Sequence, residues 1–196
     1  MEKYPVQSDR LWLQLLNVED HLEGYHALNS DASVSKWSSD VGPRGLEDTR
    51  AKLVSRMQSD EKPWMEMYAI MLRPTGAEPA IYIGGMGIIR VSEDGEAAEI
   101  GYGILAAHRG KGYAPEALKA LVDYYWTSER KMQKEKLNAG TEPGNLASQR
   151  VVQKAGFKRK GLVEKAFEAP NPETKVMEWR SIILWEVERP KACFDV

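Results

Sequence analysis

The sequence contains very little cysteine and no long apolar segment. A single cysteine, Cys193, excludes a disulfide framework and a zinc ribbon, and the three histidines show no metal-ligand spacing. No stretch approaches the roughly 18 apolar residues that a membrane-spanning helix needs. The first residues, MEKYPVQSDR, lack the basic and apolar regions of a secretory signal. These absences predict a cytoplasmic protein with no membrane contact and no resident metal.

An excess of one charge is also missing. The chain has 27 basic and 29 acidic side chains and a formal net charge of −2, whereas general nucleic-acid binders usually show a strong basic excess. We therefore expect no nucleic-acid partner. At about 150 residues per domain, the length corresponds to one domain, and no repeat or linker interrupts it. The prediction is a single domain over residues 1–196, with its core at about 9–188.

The hydrophobic patterns predict a mixed α/β fold. Some segments alternate apolar with polar residues, as strands do, and others repeat apolar residues at helical spacing. Their order, βα(α)βββαβαββ, indicates a mixed sheet with helices on its faces. The predicted strands are about 10–16, 64–73, 81–90, 98–105, 137–140, 157–168 and 179–188, and the predicted helices are about 18–28, 46–60, 113–131 and 147–155.

The sharpest local feature is the run RGKGYA at residues 109–114, between a predicted strand and a predicted helix. Glycines let successive backbone N–H groups point into one cavity, and a helix N-terminus adds unpaired donors and the positive end of the helix dipole. Arg109 and Lys111 add full positive charges. This arrangement is typical of a phosphate-binding loop, with a glycine-rich turn carrying two solvated bases as the alternative.

Spacing separates the kinds of phosphate-binding loop. A nucleoside-triphosphate loop needs a glycine five positions before Gly110, where Leu105 stands, and a serine or threonine after the lysine, which is missing. Residues 101–106 fit the glycine pattern of a dinucleotide-binding fold weakly, because residues 109–114 separate them from the helix. A nicotinamide-dependent oxidoreductase is therefore a weak alternative.

A third kind of loop accounts for the run better. Residues 109–114 resemble the Q/R-x-x-G-x-G/A acyl-CoA loop of the GNAT N-acetyltransferase superfamily, and AEIGY at 98–102 is similar to its ribosomal-protein N-terminal acetyltransferase (RimJ/RimL-like) branch. The pattern N-x-x-S at 145–148 and K-x-G-F at 154–157 resembles the second signature of that branch. Both signatures occur in the family's order and spacing, and the resemblance extends over about residues 9–188.

The resemblance implies a mixed, mostly antiparallel central sheet with flanking helices and a splayed pair of strands, the fourth and fifth of the family fold. The strand at 98–105 would diverge from the strand near 137–140 and admit the pantetheine arm of acetyl-CoA. Backbone groups of Ile104 and Leu105 would pair with that arm. The pyrophosphate would be cradled by the amides of Arg109, Gly110, Lys111, Gly112, Tyr113 and Ala114.

The resemblance also implies direct acetyl transfer, in which an amine loses a proton and attacks the thioester through a tetrahedral oxyanion. Glu99 is the candidate general base, because it shares a strand face with glycines that would leave room for substrate. An exposed strand glutamate is the alternative. An amide N–H near Leu105 is the candidate oxyanion donor. Asn145 and Ser148 match family positions that contact the pantetheine or lie near the thiol.

The sequence departs from the family pattern at the acid that protonates the leaving thiolate. Many members have a tyrosine five residues before the Phe of the Gly-Phe pair, and Val152 stands there in this chain. Ser148, a water held by Asn145, or no protein group at all are the candidates for that role. The departure also leaves open an acyl-CoA-binding protein without turnover.

The expected partners are acetyl-CoA and an amine acceptor. The acceptor is either a small molecule or the N-terminus of a protein or peptide, and the sequence does not choose between them. Trp37 and Trp64 would flank the acceptor, or else they are ordinary core aromatics. The choice between a monomer and a homodimer is also open.

Overall fold

The computed structural model describes residues 3–38, 42, 45–129, 132–171, 174 and 176–191. Cys193 and the predicted helix end at Lys131 lie outside these residues. The described part contains eight strands and five α-helices, with a short 3-10 turn at Ala106–His108. The strands are β1 (Val6–Gln7), β2 (Leu11–Leu15), β3 (Glu66–Leu72), β4 (Ile81–Val91), β5 (Ala97–Ile104), β6 (Lys136–Thr141), β7 (Lys158–Pro170) and β8 (Met177–Glu188). The helices are α1 (Val18–Ser30), α2 (Ala32–Ser35), α3 (Leu46–Ser55), α4 (Tyr113–Thr127) and α5 (Leu146–Lys154).

All eight strands belong to one sheet in the order β1-β2-β3-β4-β5-β6-β8-β7. Neighbouring strands are antiparallel except β5 and β6, which are parallel. This confirms the predicted mixed, mostly antiparallel sheet. The sheet joins strands from both ends of the described chain.

The parallel pair β5–β6 is paired over a short distance only. Its register joins Ala97–Glu99 of β5 to Lys136–Asn138 of β6, and β5 then continues to Ile104 while β6 continues to Thr141. The two strands therefore diverge beyond Glu99, as the resemblance implied. This gap in the middle of the sheet is where the site is built.

Helices cover both faces of the sheet. Successive residues of β3 enter different apolar clusters, Tyr68 and Ile70 one and Ala69 and Met71 the other, because strand side chains alternate between faces. The first cluster includes five buried side chains of α4, and the second is closed by α1 and α3 through residues such as Leu53. None of the helices that the structure describes is long and apolar enough to cross a membrane.

The helix after the glycine loop ends earlier than predicted. α4 ends at Thr127, and Ser128 adopts an extended conformation. The Ser128 amide and hydroxyl both donate to the Tyr124 carbonyl, at 3.1 and 2.7 Å. These two hydrogen bonds satisfy a carbonyl that a helix end leaves unpaired, so the helix is closed there.

A buried histidine lies under α1. His21 is 1% exposed, and its Nδ1 accepts a hydrogen bond from the Asn17 N–H at 3.1 Å. Its Nε2 is buried and has no partner among the described residues. Burial lowers the pKa of His21 below its usual 6.5, only partly offset by the charge of Asp20. The native state therefore holds a neutral imidazole.

This burial predicts a pH-dependent loss of stability. In the unfolded chain His21 gains a proton near pH 6.5, whereas the native state resists protonation, so the unfolding free energy should fall as pH drops below 6.5. Urea unfolding between about pH 7 and pH 5 should show a smaller decline for His21→Phe than for the wild type. The control His26→Gln keeps the buried imidazole and should show the wild-type decline. Identical pH slopes for all three proteins would contradict the assignment.

Candidate active site

The glycine loop presents unpaired amides at the start of α4. Gly110 and Gly112 have φ angles of 75° and 82°, in the left-handed region that favours glycine. Gly112 is the N-cap of α4 and provides no side-chain hydrogen bond. The N–H groups of Tyr113 and Ala114 therefore lack both an intrahelical acceptor and a cap. Such a helix end can bind an anion such as a phosphate.

The loop is braced from outside by Arg10, in the turn that precedes β2. Arg10 Nη1 donates to the Lys111 carbonyl at 3.1 Å, and Arg10 Nε donates to Glu116 Oε2 at 2.7 Å. Although burial favours the neutral acid, hydrogen bonds from Ser8 and Arg10 lower the pKa of Glu116. The first turn of α4 and the loop are thus held in place by an ionised carboxylate.

The Arg109 side chain turns away from the loop, contrary to the expected role of an added phosphate charge. Its Nε donates to the Ile104 carbonyl at 2.9 Å and its Nη1 to Ser33 Oγ at 2.7 Å. Its backbone N–H donates to the Ala106 carbonyl within the 3-10 turn. Hydrogen bonds from Ser33, helped by the charge of Arg109, lower the pKa of Asp31. Arg109 therefore ties the end of β5 to the start of α2.

The open edge of β5 presents two amides. In an antiparallel pair, residues whose backbone groups face the neighbouring strand alternate. The Leu105 N–H donates to the Ile83 carbonyl at 2.9 Å, so it faces β4, and it is not the free oxyanion donor that the sequence analysis expected. By the β4–β5 register, the N–H groups of Tyr102 and Ile104 face the opposite side, where β6 has moved away.

Glu99 lies at the last paired position before the gap. Arg90 on β4 binds its carboxylate with two hydrogen bonds, Nε to Oε2 at 2.6 Å and Nη2 to Oε1 at 2.9 Å. The Glu99 side chain is 19% exposed, so it is largely covered yet in reach of solvent. Hydrogen bonding to Glu99 raises the pKa of the Arg90 guanidinium. The candidate base is thus oriented by a paired cation.

The glycines beside Glu99 do not leave open space, which corrects the expectation from the sequence. A Cβ on Gly101 would lie 3.0 Å from the Ile89 side chain, and a Cβ on Gly103 would lie 3.5 Å from Leu28 and 3.6 Å from Val34. Side chains from β4, α1 and α2 therefore occupy the volume that the glycines leave. They make an apolar wall on this face of β5.

On the other face of β5, a tyrosine reaches the helix that follows β6. The Tyr102 hydroxyl lies 2.7 Å from Ser148 Oγ and 3.1 Å from the Ser148 carbonyl oxygen. Asn145 is the N-cap of α5, and its Oδ1 accepts from the Ser148 N–H at 3.1 Å. Val152 is fully buried in the core and presents no polar group. The sequence analysis missed Tyr102, because its partner lies 46 positions away.

Asn138 on β6 is a second residue that the sequence analysis missed. The sheet register places it between Glu99 of β5 and Glu186 of β8, on the same face. Its Oδ1 is buried and has no hydrogen-bond donor among the described residues. Buried acceptors are rarely left unpaired, so a donor from a ligand would fit here. Its only signal in the sequence was its place in a strand beside the expected gap.

A buried arginine on β8 joins three segments of the chain. Arg180 of β8 has a side chain that is 6% exposed and forms an ion pair with Glu142 at 2.9 Å. It also donates to the carbonyls of Lys36 and Pro170, at 2.7 and 2.6 Å. The segment that carries Trp37 is thereby fastened to the turn after β6.

The dinucleotide interpretation is wrong. Gly101 and Gly103 lie inside β5, whereas a dinucleotide fingerprint forms the turn between a strand and a helix. Neither glycine can approach a pyrophosphate, since side chains of Ile89, Leu28 and Val34 cover them.

Comparison with known proteins agrees with this geometry. The family model described as "Acetyltransferase (GNAT) domain" matches residues 10–158. An uncharacterized N-acetyltransferase p20 from Bacillus licheniformis is 35% identical over 158 residues, which cover 81% of this chain and 84% of that protein. The probable N-acetyltransferase YjcK of Bacillus subtilis is 40% identical over 70 residues, so the chain spans only 37% of that relative.

A solved structure shares the fold. The ribosomal L7/L12 alpha-N-protein acetyltransferase RimL, in complex with coenzyme A, superposes with a TM-score of 0.73 at 19% identity and covers 92% of this chain and 95% of its own. The predicted fold and family are confirmed. The alternative of a CoA-binding protein without turnover receives no support from these matches.

The left-handed glycine predicts a specific loss on substitution. Gly110→Ala adds a Cβ with no atom within 4 Å, so its effect comes from backbone strain alone. We expect a loss of about 1 kcal/mol in unfolding free energy and weaker binding of CoA in calorimetry. Gly161→Ala is the matched control, since its Cβ also meets nothing and its φ is ordinary. Equal CoA affinities in the two variants would contradict the role of the loop.

The buried Arg180 ion pair predicts a larger loss of unfolding free energy on substitution than an exposed ion pair does. Arg180→Leu leaves Glu142 and two carbonyls without their donor, and removing one partner of a buried pair should cost about 3 kcal/mol of unfolding free energy. Arg189→Leu breaks a more exposed pair with Glu135 and should cost less than about 1 kcal/mol. Urea unfolding measures both values. Similar losses in the two variants would show that the buried Arg180 ion pair stabilises the fold no more than an exposed pair does.

Proposed function

The chain belongs to the GNAT family of acetyl-CoA-dependent N-acetyltransferases, and we propose that it moves the acetyl group onto a primary amine by direct attack. One observation carries this proposal: β5 and β6 separate after Glu99, at the end of β5 that leads into the uncapped start of α4. A thioester can lie in the gap while its pyrophosphate binds the loop.

The glycine loop and the open edge of β5 bind different parts of acetyl-CoA. Amides of Gly110, Lys111, Gly112, Tyr113 and Ala114 receive the pyrophosphate, with Arg109 acting as an anchor of the loop. The Ile104 N–H faces the gap and pairs with the pantetheine arm. The Ile104 carbonyl accepts from Arg109 and keeps a second lone pair for the same arm.

The open edge also supplies the oxyanion donor. A tetrahedral intermediate needs an N–H that already points at the developing charge. The Tyr102 and Ile104 amides face the gap, whereas the Leu105 amide is engaged with Ile83. The Ile104 amide pairs with the pantetheine arm, so the Tyr102 amide takes the role that the sequence analysis placed near Leu105.

Proton removal falls to Glu99. Arg90 occupies one acceptor position on each carboxylate oxygen, and each oxygen has about two such positions. A free position can take the amine proton directly or through one water. Asn138 Oδ1, beside Glu99 in the register, accepts a second N–H of the amine.

The acceptor is a primary amine that carries positive charge before it reacts. The carboxylates of Glu99 and Glu186 flank Asn138, and they are ion-paired with Arg90 and Lys160. Their remaining lone pairs and the Asn138 amide oxygen can accept hydrogen bonds from an ammonium group. A small-molecule amine and a protein or peptide N-terminus both fit this description. Some structural neighbours are named as acetyltransferases of a ribosomal protein N-terminus, which favours the second class. A cytoplasmic location and a monomer or homodimer complete the proposal.

Thermal unfolding with separate ligands tests the cofactor. At about a hundred times the dissociation constant, a ligand that binds only the native state stabilises by roughly 2.7 kcal/mol. Each kcal/mol shifts the midpoint by about 2–4 °C in a domain of this size, so acetyl-CoA and CoA should each raise it by about 5–11 °C, and NAD should leave it unchanged. No shift with either CoA species would refute the proposed function.

The base role of Glu99 has its own test. Glu99→Gln keeps the shape but cannot take a proton, so the rate of CoA release with an active amine should fall by about 10²–10⁴-fold. The affinity for acetyl-CoA should not change. A panel of benzylamine, spermidine and an N-terminal serine peptide would first identify an active amine.

The matched control is Glu96→Gln, which removes a more exposed carboxylate paired with Lys136 next to the same strand. It should keep the wild-type rate. A wild-type rate in Glu99→Gln would remove Glu99 from the mechanism and leave the family assignment intact.

A further inference from the structure

A hydrogen bond crosses the gap between the diverging strands. Tyr102 lies on β5, three residues beyond the last pair with β6, and Ser148 lies in the first turn of the helix that follows β6. Their hydroxyl oxygens are 2.7 Å apart. The contact therefore joins the two walls between which the pantetheine arm is proposed to pass.

We propose that Tyr102 is a positioning residue that turns the Ser148 hydroxyl so that its proton points at the sulfur of coenzyme A. The proposal rests on the proposed function, and it assigns a role to a residue for which neither signature of the family provided one. It concerns the departure of the thiolate, for which this chain has Val152 in place of the tyrosine that many family members use as an acid.

Two proton arrangements are possible in the pair. In one, Tyr102 donates to Ser148 Oγ, and the serine proton is free to reach the sulfur. In the other, Ser148 donates to Tyr102, which donates to the Ser148 carbonyl at 3.1 Å, and no proton is left for the sulfur. The Ser148 carbonyl already accepts a helical hydrogen bond from the N–H of the residue four positions later. A negative sulfur in the gap favours the first arrangement.

Tyr102 can keep this role over the physiological range. Burial raises the pKa of its phenol to about 12, despite the opposing effect of the hydrogen bond with Ser148. The phenol therefore stays protonated and acts only as a donor or acceptor of hydrogen bonds. It has no need to give up its proton during the reaction.

The chemical step balances without a proton from Tyr102. The carbon–sulfur bond of the tetrahedral intermediate breaks, and its electron pair goes to sulfur as the oxyanion reforms the carbonyl. The proton of the attacking nitrogen has gone to Glu99 or its water. Ser148 stabilises the thiolate through a charge-assisted hydrogen bond, and the thiolate takes a proton from solvent after release.

The pKa of the bound CoA thiol tests this arrangement without an amine acceptor. Thiolate absorbance in the ultraviolet is titrated in the CoA complex of each protein, with the desulfo-CoA complex of the same protein as blank. A hydrogen bond to the charged form lowers a pKa. Tyr102→Phe should therefore raise the thiol pKa by about one unit, a tenfold change in the ionisation constant.

A double variant separates positioning from a general structural effect. Ser148→Ala should raise the thiol pKa at least as much as Tyr102→Phe, and the combined variant should match Ser148→Ala alone, because Tyr102 acts through the serine. Tyr82→Phe is the control, since it removes another buried tyrosine hydroxyl, on β4, and should shift nothing. Additive shifts, or no shift in Tyr102→Phe, would overturn the proposal.

A second variant keeps the proposal testable if Tyr102→Phe fails to fold or loses its affinity for CoA. A fluorinated tyrosine at position 102 keeps the ring and donates more strongly, so it should lower the thiol pKa, and a value unchanged from wild type would overturn the proposal. Binding of CoA by the wild type without these shifts would leave the proposed function standing. Failure of the wild type to bind CoA would remove both.

Discussion

The short parallel pairing between β5 and β6 is the constraint on which the rest of the site depends. Only three residue pairs hold the strands together, and each strand then continues without the other. An unpaired strand edge inside a sheet would be costly unless a ligand or water satisfied its backbone groups. The gap therefore requires a polar, extended occupant, and a pantetheine arm has that character.

The surroundings of the gap are held rigid so that the gap itself can stay open. Arg10 and Glu116 brace the glycine loop, Arg109 ties the end of β5 to α2, and Arg180 fastens the turn after β6. Arg10 and Arg180 donate to backbone carbonyls in segments that are distant in sequence, and Arg109 donates to the distant Ser33 hydroxyl. The loop amides and strand edge are thereby preorganised before acetyl-CoA arrives, which limits the ordering cost of binding.

In the proposed mechanism, the two faces of β5 serve different parts of the reaction. One face carries Glu99, held by Arg90, with Asn138 as its paired neighbour on β6 at the edge of the gap. The other face carries Tyr102, which meets Ser148. Because strand side chains alternate, the proposed mechanism lets a single strand bring a base toward the amine and a hydroxyl pair toward the sulfur.

The sequence by itself determined the order of the longer elements, the glycine loop before a helix and the family, because these depend on local spacing: Gly110 and Gly112 before a helix, and the N-x-x-S pattern at residues 145–148. It did not reveal the turned Arg109, the filled space beside Gly101, or the pairing of Tyr102 with Ser148. Those features depend on which distant segments meet, and no local pattern records a partner 46 or 76 positions away. Only the tertiary structure decided them, since the sheet register and helix packing choose the neighbours of each side chain.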